Sequence, residues 1–350
     1  MSPIKIGLIG CGRIAQSVHL RILPRLPGVE LAALAEIDEE RREEARTVVP
    51  QADAFSDYRD MLAMPQLDAV VICLPNALHA EAAIAACAQG KHIYIEKPLA
   101  TNLDEGKRML AAWRRSGKVG MVGFNYRFNP LNQSLRRQMN AGRIGKVIAA
   151  RSVFSTFHGS RDEWRDQRKS GGGALLDLAS HHVDLTRFLF GKEIVAVSAS
   201  LRSTRHEDDT AILQMGLADD TVVQSFFSLN ALEEDCFSIY GESGKLSVDR
   251  YRSHEVEHSA ASRGSDRFAQ LGSSMRMISH APYLFQKLRA PGHEPSYRIA
   301  LAEFASAVRA GRRVSPDLED GYRSLAVVLA AEESAATGKV VALSSGADSI

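Results

Sequence analysis

The run Ser170-Gly171-Gly172-Gly173-Ala174-Leu175-Leu176-Asp177-Leu178-Ala179-Ser180-His181-His182-Val183-Asp184 places two carboxylates and two imidazoles within eight residues. On a helix Asp177, His181 and Asp184 are four and three residues apart and share a face, beside an apolar stripe of Leu178, Leu185 and Leu189. That spacing predicts a polar face lining a cleft. An imidazole titrates near neutrality, so His181 is a candidate acid–base group for a hydroxyl proton, with Asp177 orienting it or bonding the substrate itself. A satisfied structural His/Asp pair is the alternative. A metal site built on His181, His182 and Asp184, or on His254 and His258, is not expected, because neighbouring helical residues diverge and no motif supplies a converging third ligand.

A second set surrounds a glycine-rich turn. Gly10-Cys11-Gly12-Arg13-Ile14-Ala15 follows the strand-like Ile4-Lys5-Ile6-Gly7-Leu8-Ile9 and precedes a helical stretch. In that setting glycines let the backbone approach a pyrophosphate, and the helix N-terminus offers oriented N–H groups. Glu36 ends the next strand, where a carboxylate can accept hydrogen bonds from the ribose hydroxyls of an adenosine. The pair predicts a dinucleotide site, with Gly10, Gly12, Arg13, Ile14 and Glu36 as its residues. A carboxylate there repels a 2'-phosphate and Ile37 offers no guanidinium to receive one, which favours NAD over NADP. Arg41 and Arg42 keep NADP open, although on the following helix they also fit a solvated face.

Pro75-Asn76-Ala77-Leu78-His79 follows the strand expected near 68–73, and Glu96-Lys97-Pro98 follows the one near 91–95. Both fall at the carboxyl edge of the sheet, where ligands of open α/β sheets bind, so Pro75, Asn76, His79, Glu96 and Lys97 join the cofactor set. A lysine there can hydrogen-bond a substrate hydroxyl and stabilise developing oxyanion character. Taken alone, Lys97 fits an exposed surface lysine better than a functional one. His79 suits capping or orienting the cofactor loop better than chemistry.

The elements that must position these groups follow from patterning. Strands near 4–10, 30–36, 68–73, 91–95 and 119–123 alternate with helical stretches at 13–25, 38–47, 78–89 and 103–116, the pattern of a doubly wound parallel sheet. Beyond Asn125 come a helix near 130–140, a strand near 146–155, a helix near 174–190, and successive strands at 193–200, 209–217, 221–229, 235–241 and 245–249. Strands following strands predict a largely antiparallel sheet. Residues 251–296, with weak periodicity, read as loops or an irregular insertion, and helices near 298–310 and 318–337 close the chain. At 350 residues two domains are expected. A formal charge of +1 without a long basic run excludes a field built for nucleic acid. Four cysteines without a CxxC pair read as reduced thiols, and with neither signal-peptide architecture nor a membrane-length apolar run a cytoplasmic protein is expected.

Taken together, the Gly10 to Ala15 turn, Glu96-Lys97-Pro98, the Gly171 to Gly173 triplet and the Asp177, His181, Asp184 spacing resemble the Gfo/Idh/MocA family of oxidoreductases. So do Gly90-Lys91-His92, Asn125-Tyr126-Arg127-Phe128-Asn129-Pro130 and the closing Glu333-Ser334-Ala335-Ala336-Thr337-Gly338-Lys339, so the resemblance spans nearly the whole chain. It implies a Rossmann domain over 1–124, then a substrate-binding and oligomerisation α/β domain over 125–350 whose open sheet forms a homodimer or homotetramer interface. Catalysis would occur in the cleft between the domains. Lys97, Asp177 and His181 match the family's catalytic positions, and Tyr126, Arg127, Trp164 and Lys169 fall in regions that would contact substrate. Members commonly oxidise or reduce a secondary alcohol of a sugar, inositol or related polyol with NAD(P). The sequence departs from the family at Ala179, where glycine is frequent, and adds His182 beside His181. Two other functions fit the scaffold: glycoside cleavage by a retained NAD that is reduced and reoxidised in each cycle, and non-catalytic dinucleotide sensing. The joint presence of Lys97, Asp177 and His181 argues against the latter.

Overall fold

The computed structural model describes residues 2–157, 166–260, 281–291 and 294–343. These divide into two compact units: the first takes the chain up to Asn125 together with Lys169–Gly171 and Ser296–Leu325, and the second takes the rest.

The first unit is built on six strands, β1 (Ile4–Ile9), β2 (Val29–Ala35), β3 (Asp53–Phe55), β4 (Ala69–Ile72), β5 (His92–Ile95) and β6 (Gly120–Val122), in the order β3-β2-β1-β4-β5-β6 and parallel throughout. Helices lie between the strands, and Ala69–Ile72 is buried along its whole length, as a central parallel strand covered on both faces must be. Asp38 and Asn102 cap the helices Glu39–Val48 and Leu103–Ser116 by accepting from the N–H groups of Arg41 and Glu105, each at 2.9 Å. The stretch expected as a helix over 13–25 is a succession of π, α and 3-10 turns from Ala15 to Arg25. β3 and the helix Tyr58–Leu62 were not anticipated, being too short to show a period. The late helix Ser296–Ala310 joins this unit because Phe304 meets Tyr94 of β5 edge-on at 5.8 Å, deep in the core.

The second unit carries an eight-stranded sheet: β7 (Val147–Phe157), β8 (Ile194–Arg202), β9 (Thr210–Leu217), β10 (Val222–Ser228), β11 (Asn230–Gly241), β12 (Gly244–Asp249), β13 (Glu257–Ala260) and β14 (Val341–Ala342). Its order is β13-β12-β11-β7-β10-β9-β8-β14, antiparallel except between β7 and β10. One face packs on the helix Ser180–Phe190, and β9 shows the alternation this demands: Ala211, Leu213, Met215 and Leu217 are buried while Ile212 and Gln214 face out. Within 251–296, where loops or an irregular insertion are expected, β13 and the helix Ala281–Arg289 are regular elements, and residues 261–280 and 292–293 lie outside the described residues. Among the described residues no helix is long and apolar enough to cross a membrane.

One carboxylate organises the loop before β9. Asp209 is fully buried and accepts from the N–H groups of Arg205 at 2.7 Å and His206 at 2.9 Å, from Thr204 Oγ1 at 2.9 Å and from Asn230 Nδ2 at 2.5 Å. The loop then supports the glycine triplet, since the carbonyl of Asp208 accepts from Ala174 N–H at 2.8 Å. Burial alone would raise the Asp209 carboxyl, but the His206, Arg205 and Thr204 donors outweigh it and hold it down at about 2. Because the folded value lies below the unfolded one, the contribution is complete above about pH 4 and is lost as pH falls through about 2. Asp209→Asn is therefore expected to destabilise at neutral pH, with the difference from the parent protein shrinking below pH 4 in urea midpoints taken across an acid series.

Candidate active site

The candidate residues of the first unit lie along one edge of the parallel sheet. The glycine turn leaves β1, Pro75 and Asn76 follow β4, and Glu96 and Lys97 follow β5, so three adjacent strands deliver them to the same carboxyl edge. Gly10 has φ +88°, and a Cβ there would sit 2.8 Å from the carbonyl oxygen of Cys73, so the turn requires glycine on two counts. Gly12 is the opposite case: a Cβ would meet nothing within 4 Å, and the backbone opens into free space. Glu36 closes over the turn from β2, accepting from Cys11 N–H at 2.7 Å and Asp38 N–H at 3.1 Å.

Lys97 is half-buried beside a braced turn. The neighbouring Glu96 carboxylate meets Nε2 of the fully buried His19 at 2.8 Å, and both His79 ring nitrogens bond backbone carbonyls, Nδ1 to Pro98 and Nε2 to Leu74, each at 2.9 Å. His79 thus ties the loop after β4 to the one after β5. Burial lowers its pKa against the two carbonyls, which favour the protonated ring. Asn76 is spent in the same way, donating to the carbonyl of Gly171 at 2.8 Å, while Gly171 has φ +92° and would drive a Cβ to within 2.6 Å of Asn76 Cβ. Lys169, two residues earlier, is exposed, as is Arg13; Ile14 is half-buried.

The candidate residues of the second unit ride on the π turn Leu175–Ala179 and the helix Ser180–Phe190. Asp177 is partly accessible and His181 is 7% exposed, its ring stacked on Tyr126 at 4.5 Å between centroids with 19° between planes. Asp184 does not continue this face. It is fully buried and held by a two-pronged pair with Arg127, Nε at 2.7 Å and Nη2 at 2.5 Å. The expectation of one polar face through Asp177, His181 and Asp184 is corrected here: the π turn changes the winding between the first and third, and Asp184 turns to an internal partner. His182 is also fully buried, its Nε2 3.0 Å from the Asp235 carboxylate, so of the adjacent imidazoles it faces the sheet. Tyr126 and Arg127 are both buried, and Trp164 lies outside the described residues.

A family description of an oxidoreductase family with an NAD-binding Rossmann fold matches residues 4–124, and that of its C-terminal alpha/beta domain matches 136–343. The chain belongs to the Gfo/Idh/MocA oxidoreductase family. Among its relatives, the levoglucosan dehydrogenase of Pseudarthrobacter phenanthrenivorans is 29% identical, the match covering 96% of this chain and 97% of that one. The myo-inositol 2-dehydrogenase of Thermotoga maritima is 27% identical over 95% of this chain and 96% of that one. A solved structure of levoglucosan dehydrogenase with NADH and levoglucosan superposes with a TM-score of 0.84 at 29% identity, covering 97% and 99% of the two chains. This Gfo/Idh/MocA member is an NAD-dependent oxidoreductase.

The residues of the first unit fit that cofactor. The open space at Gly12 suits a pyrophosphate, and the Glu36 carboxylate stands beside the turn where an adenosine ribose would lie. Arg42 Nη1 donates to the backbone carbonyl of Glu36 at 2.8 Å, just past the end of β2. Glu36→Ala is expected to weaken NAD by about 10- to 100-fold, the range for lost hydrogen bonds to a charged group, and to narrow the preference over NADP; titration calorimetry with each nucleotide reads both. None of the four cysteines is bridged, and burial pushes the Cys11 thiol up to about 12 and Cys87 to about 11, so the cysteines offer no nucleophile at neutral pH. Sequence patterning missed His19, Asp235 and Arg250, whose partners are distant in the chain; for His19 the one local cue is a polar residue within an apolar helical stretch.

Proposed function

We propose that the protein oxidises a secondary alcohol of a sugar, inositol or related polyol, reversibly, with Lys97, Asp177 and His181 as the groups that handle the hydroxyl. The observation that carries the reading is the delivery of Lys97 to the same sheet edge as the glycine turn and Glu36 by adjacent strands, which sets an ammonium group beside a dinucleotide cradle. Relatives named for levoglucosan and for inositols support the substrate class. Bound NAD supplies the acceptor for the two electrons and the hydrogen that leave the carbon. The chain supplies the rest. Lys97 donates to the hydroxyl oxygen and stabilises the negative charge that grows as the O–H proton departs. His181 takes that proton during oxidation and returns it during reduction, and Asp177 orients the imidazole or the substrate.

Self-association is part of the same reading. The outward face of the second unit's sheet pairs Ile212 with Phe226 across β9 and β10 and exposes Tyr240 on β11, two apolar spots separated by the polar row Gln214, Gln224 and Arg151, a mixed face suited to a second copy in a homodimer or homotetramer. The test of function is a panel of inositols, sugars, anhydrosugars and sugar acids assayed with NAD and with NADP, following free reduced nucleotide. Accumulation of NADH with a polyol is the expected result. Cleavage of a glycoside without net NADH would instead establish the retained-cofactor reaction, and tight NAD binding with no turnover across the panel would overturn the enzymatic reading of these residues.

A further inference from the structure

Behind His181 lies a buried polar cluster that the proposed proton transfer does not use. Asp235, on β11 and 4% exposed, accepts from Tyr126 Oη at 2.5 Å and from Arg250 Nε at 2.6 Å through one oxygen, and its other oxygen lies 3.0 Å from His182 Nε2. Arg250 continues to Glu294 at 3.3 Å, and Glu294 accepts from Asn129 Nδ2 at 3.1 Å. Burial would raise the Asp235 carboxyl, but Arg250, His182 and Tyr126 outweigh it and keep it well below the usual carboxylate range, so the hydroxyl of Tyr126 donates to an anion.

Tyr126 links this cluster to His181. One ring face lies flat against the imidazole at 4.5 Å, Arg250 sits over the ring at 5.0 Å from its centroid, and the hydroxyl at the far end is fixed on Asp235. Phe154 forms a further wall, 6.0 Å from the His181 ring at 60°. Stacking alone defines a distance and leaves the ring free to slide; a charge-assisted bond at the para position removes that freedom. A donor or acceptor displaced by about 1 Å can cost about 100-fold in rate, so such a brace has kinetic weight.

We propose that Asp235 is a positioning residue: acting through the Tyr126 hydroxyl, it holds the Tyr126 ring against His181 and so fixes where the imidazole meets the substrate hydroxyl. The proposal rests on the reading of His181 as the acid–base group. It separates from the alternative role for Tyr126, direct contact with substrate, because positioning acts on kcat and a ground-state contact acts on KM.

Tyr126→Phe is the informative variant, since it keeps the stacked ring and removes the bond to Asp235. On the polyol that gives turnover, kcat is expected to fall about 10- to 100-fold with KM within about twofold and NAD affinity unchanged. The His181 imidazole resonance, assigned by its loss in His181→Gln, should shift or broaden in Tyr126→Phe, and Asp235→Asn should add nothing on top of it. A raised KM with kcat and the His181 resonance unchanged overturns the proposal. Should Asp235→Asn not fold, Tyr126→Phe decides alone. If the parent protein turns over no polyol, the functional reading fails, yet the resonance still reports whether the brace holds His181.

Discussion

Replacing Lys97 by alanine is expected to lower kcat by about 100- to 1,000-fold, the scale on which one donor to a developing oxyanion acts, while NAD binds as it does to the parent protein. The expectation follows from where the residue stands. Lys97 leaves β5 at the carboxyl edge, next to Glu96, which is committed to His19, and Pro98, whose carbonyl is committed to His79. Its neighbours fix the turn, so shortening Lys97 removes an ammonium without loosening the cradle. Glu36 and the glycine turn depend on β1 and β2 and should not notice the change. Measuring kcat and KM by NADH absorbance, with NAD affinity by calorimetry, separates the two effects. An unchanged kcat would remove Lys97 from the chemistry; lost NAD binding would make it a cofactor ligand. Lys97→Arg is expected to recover little, because a planar guanidinium cannot place a compact charge at the same point.

The way these residues became visible differs from one to the next. The glycine turn and Glu36 are local features: a strand, a turn needing φ above zero at Gly10 and a carboxylate at the end of the next strand are all written in short spans. The position of Lys97 was readable for the same reason, since ends of parallel strands share an edge whatever the details of their packing. The helix face through Asp177, His181 and Asp184 was only half readable. Its spacing assumes an unbroken α-helix, and a π turn over Leu175–Ala179 breaks the assumption, while the partner that claims Asp184 lies 57 residues earlier. No periodicity can report such a pairing. Likewise the membership of Ser296–Ala310 in the first unit depends on Phe304 meeting Tyr94, a contact that depends on shape and volume rather than pattern.

Arg127→Met gives the second large effect, on stability. The Arg127 and Asp184 side chains are 9% and 1% exposed, the guanidinium engages both carboxylate oxygens, and Arg187 stands 3.7 Å from Asp184 but is itself committed to Glu193 at 2.7 Å. Removing Arg127 leaves a buried carboxylate with partial compensation, and breaking such a pair from one side typically costs about 3–5 kcal/mol. Arg187 should keep the loss near the lower end, about 3 kcal/mol, read in urea unfolding of the second unit by hydrogen exchange along Ser180–Phe190, since a two-unit chain has no single unfolding free energy. Adding Asp184→Leu should restore much of that loss, because an apolar pair of similar volume carries no desolvation cost. If Arg127 instead contacts substrate, as its place in the Asn125 to Pro130 segment suggested, Arg127→Met will unfold with the parent protein and show its defect in KM, and the double variant will rescue nothing. The two results are exclusive, and they decide whether this segment serves the site by touching the substrate or by holding the helix that carries His181.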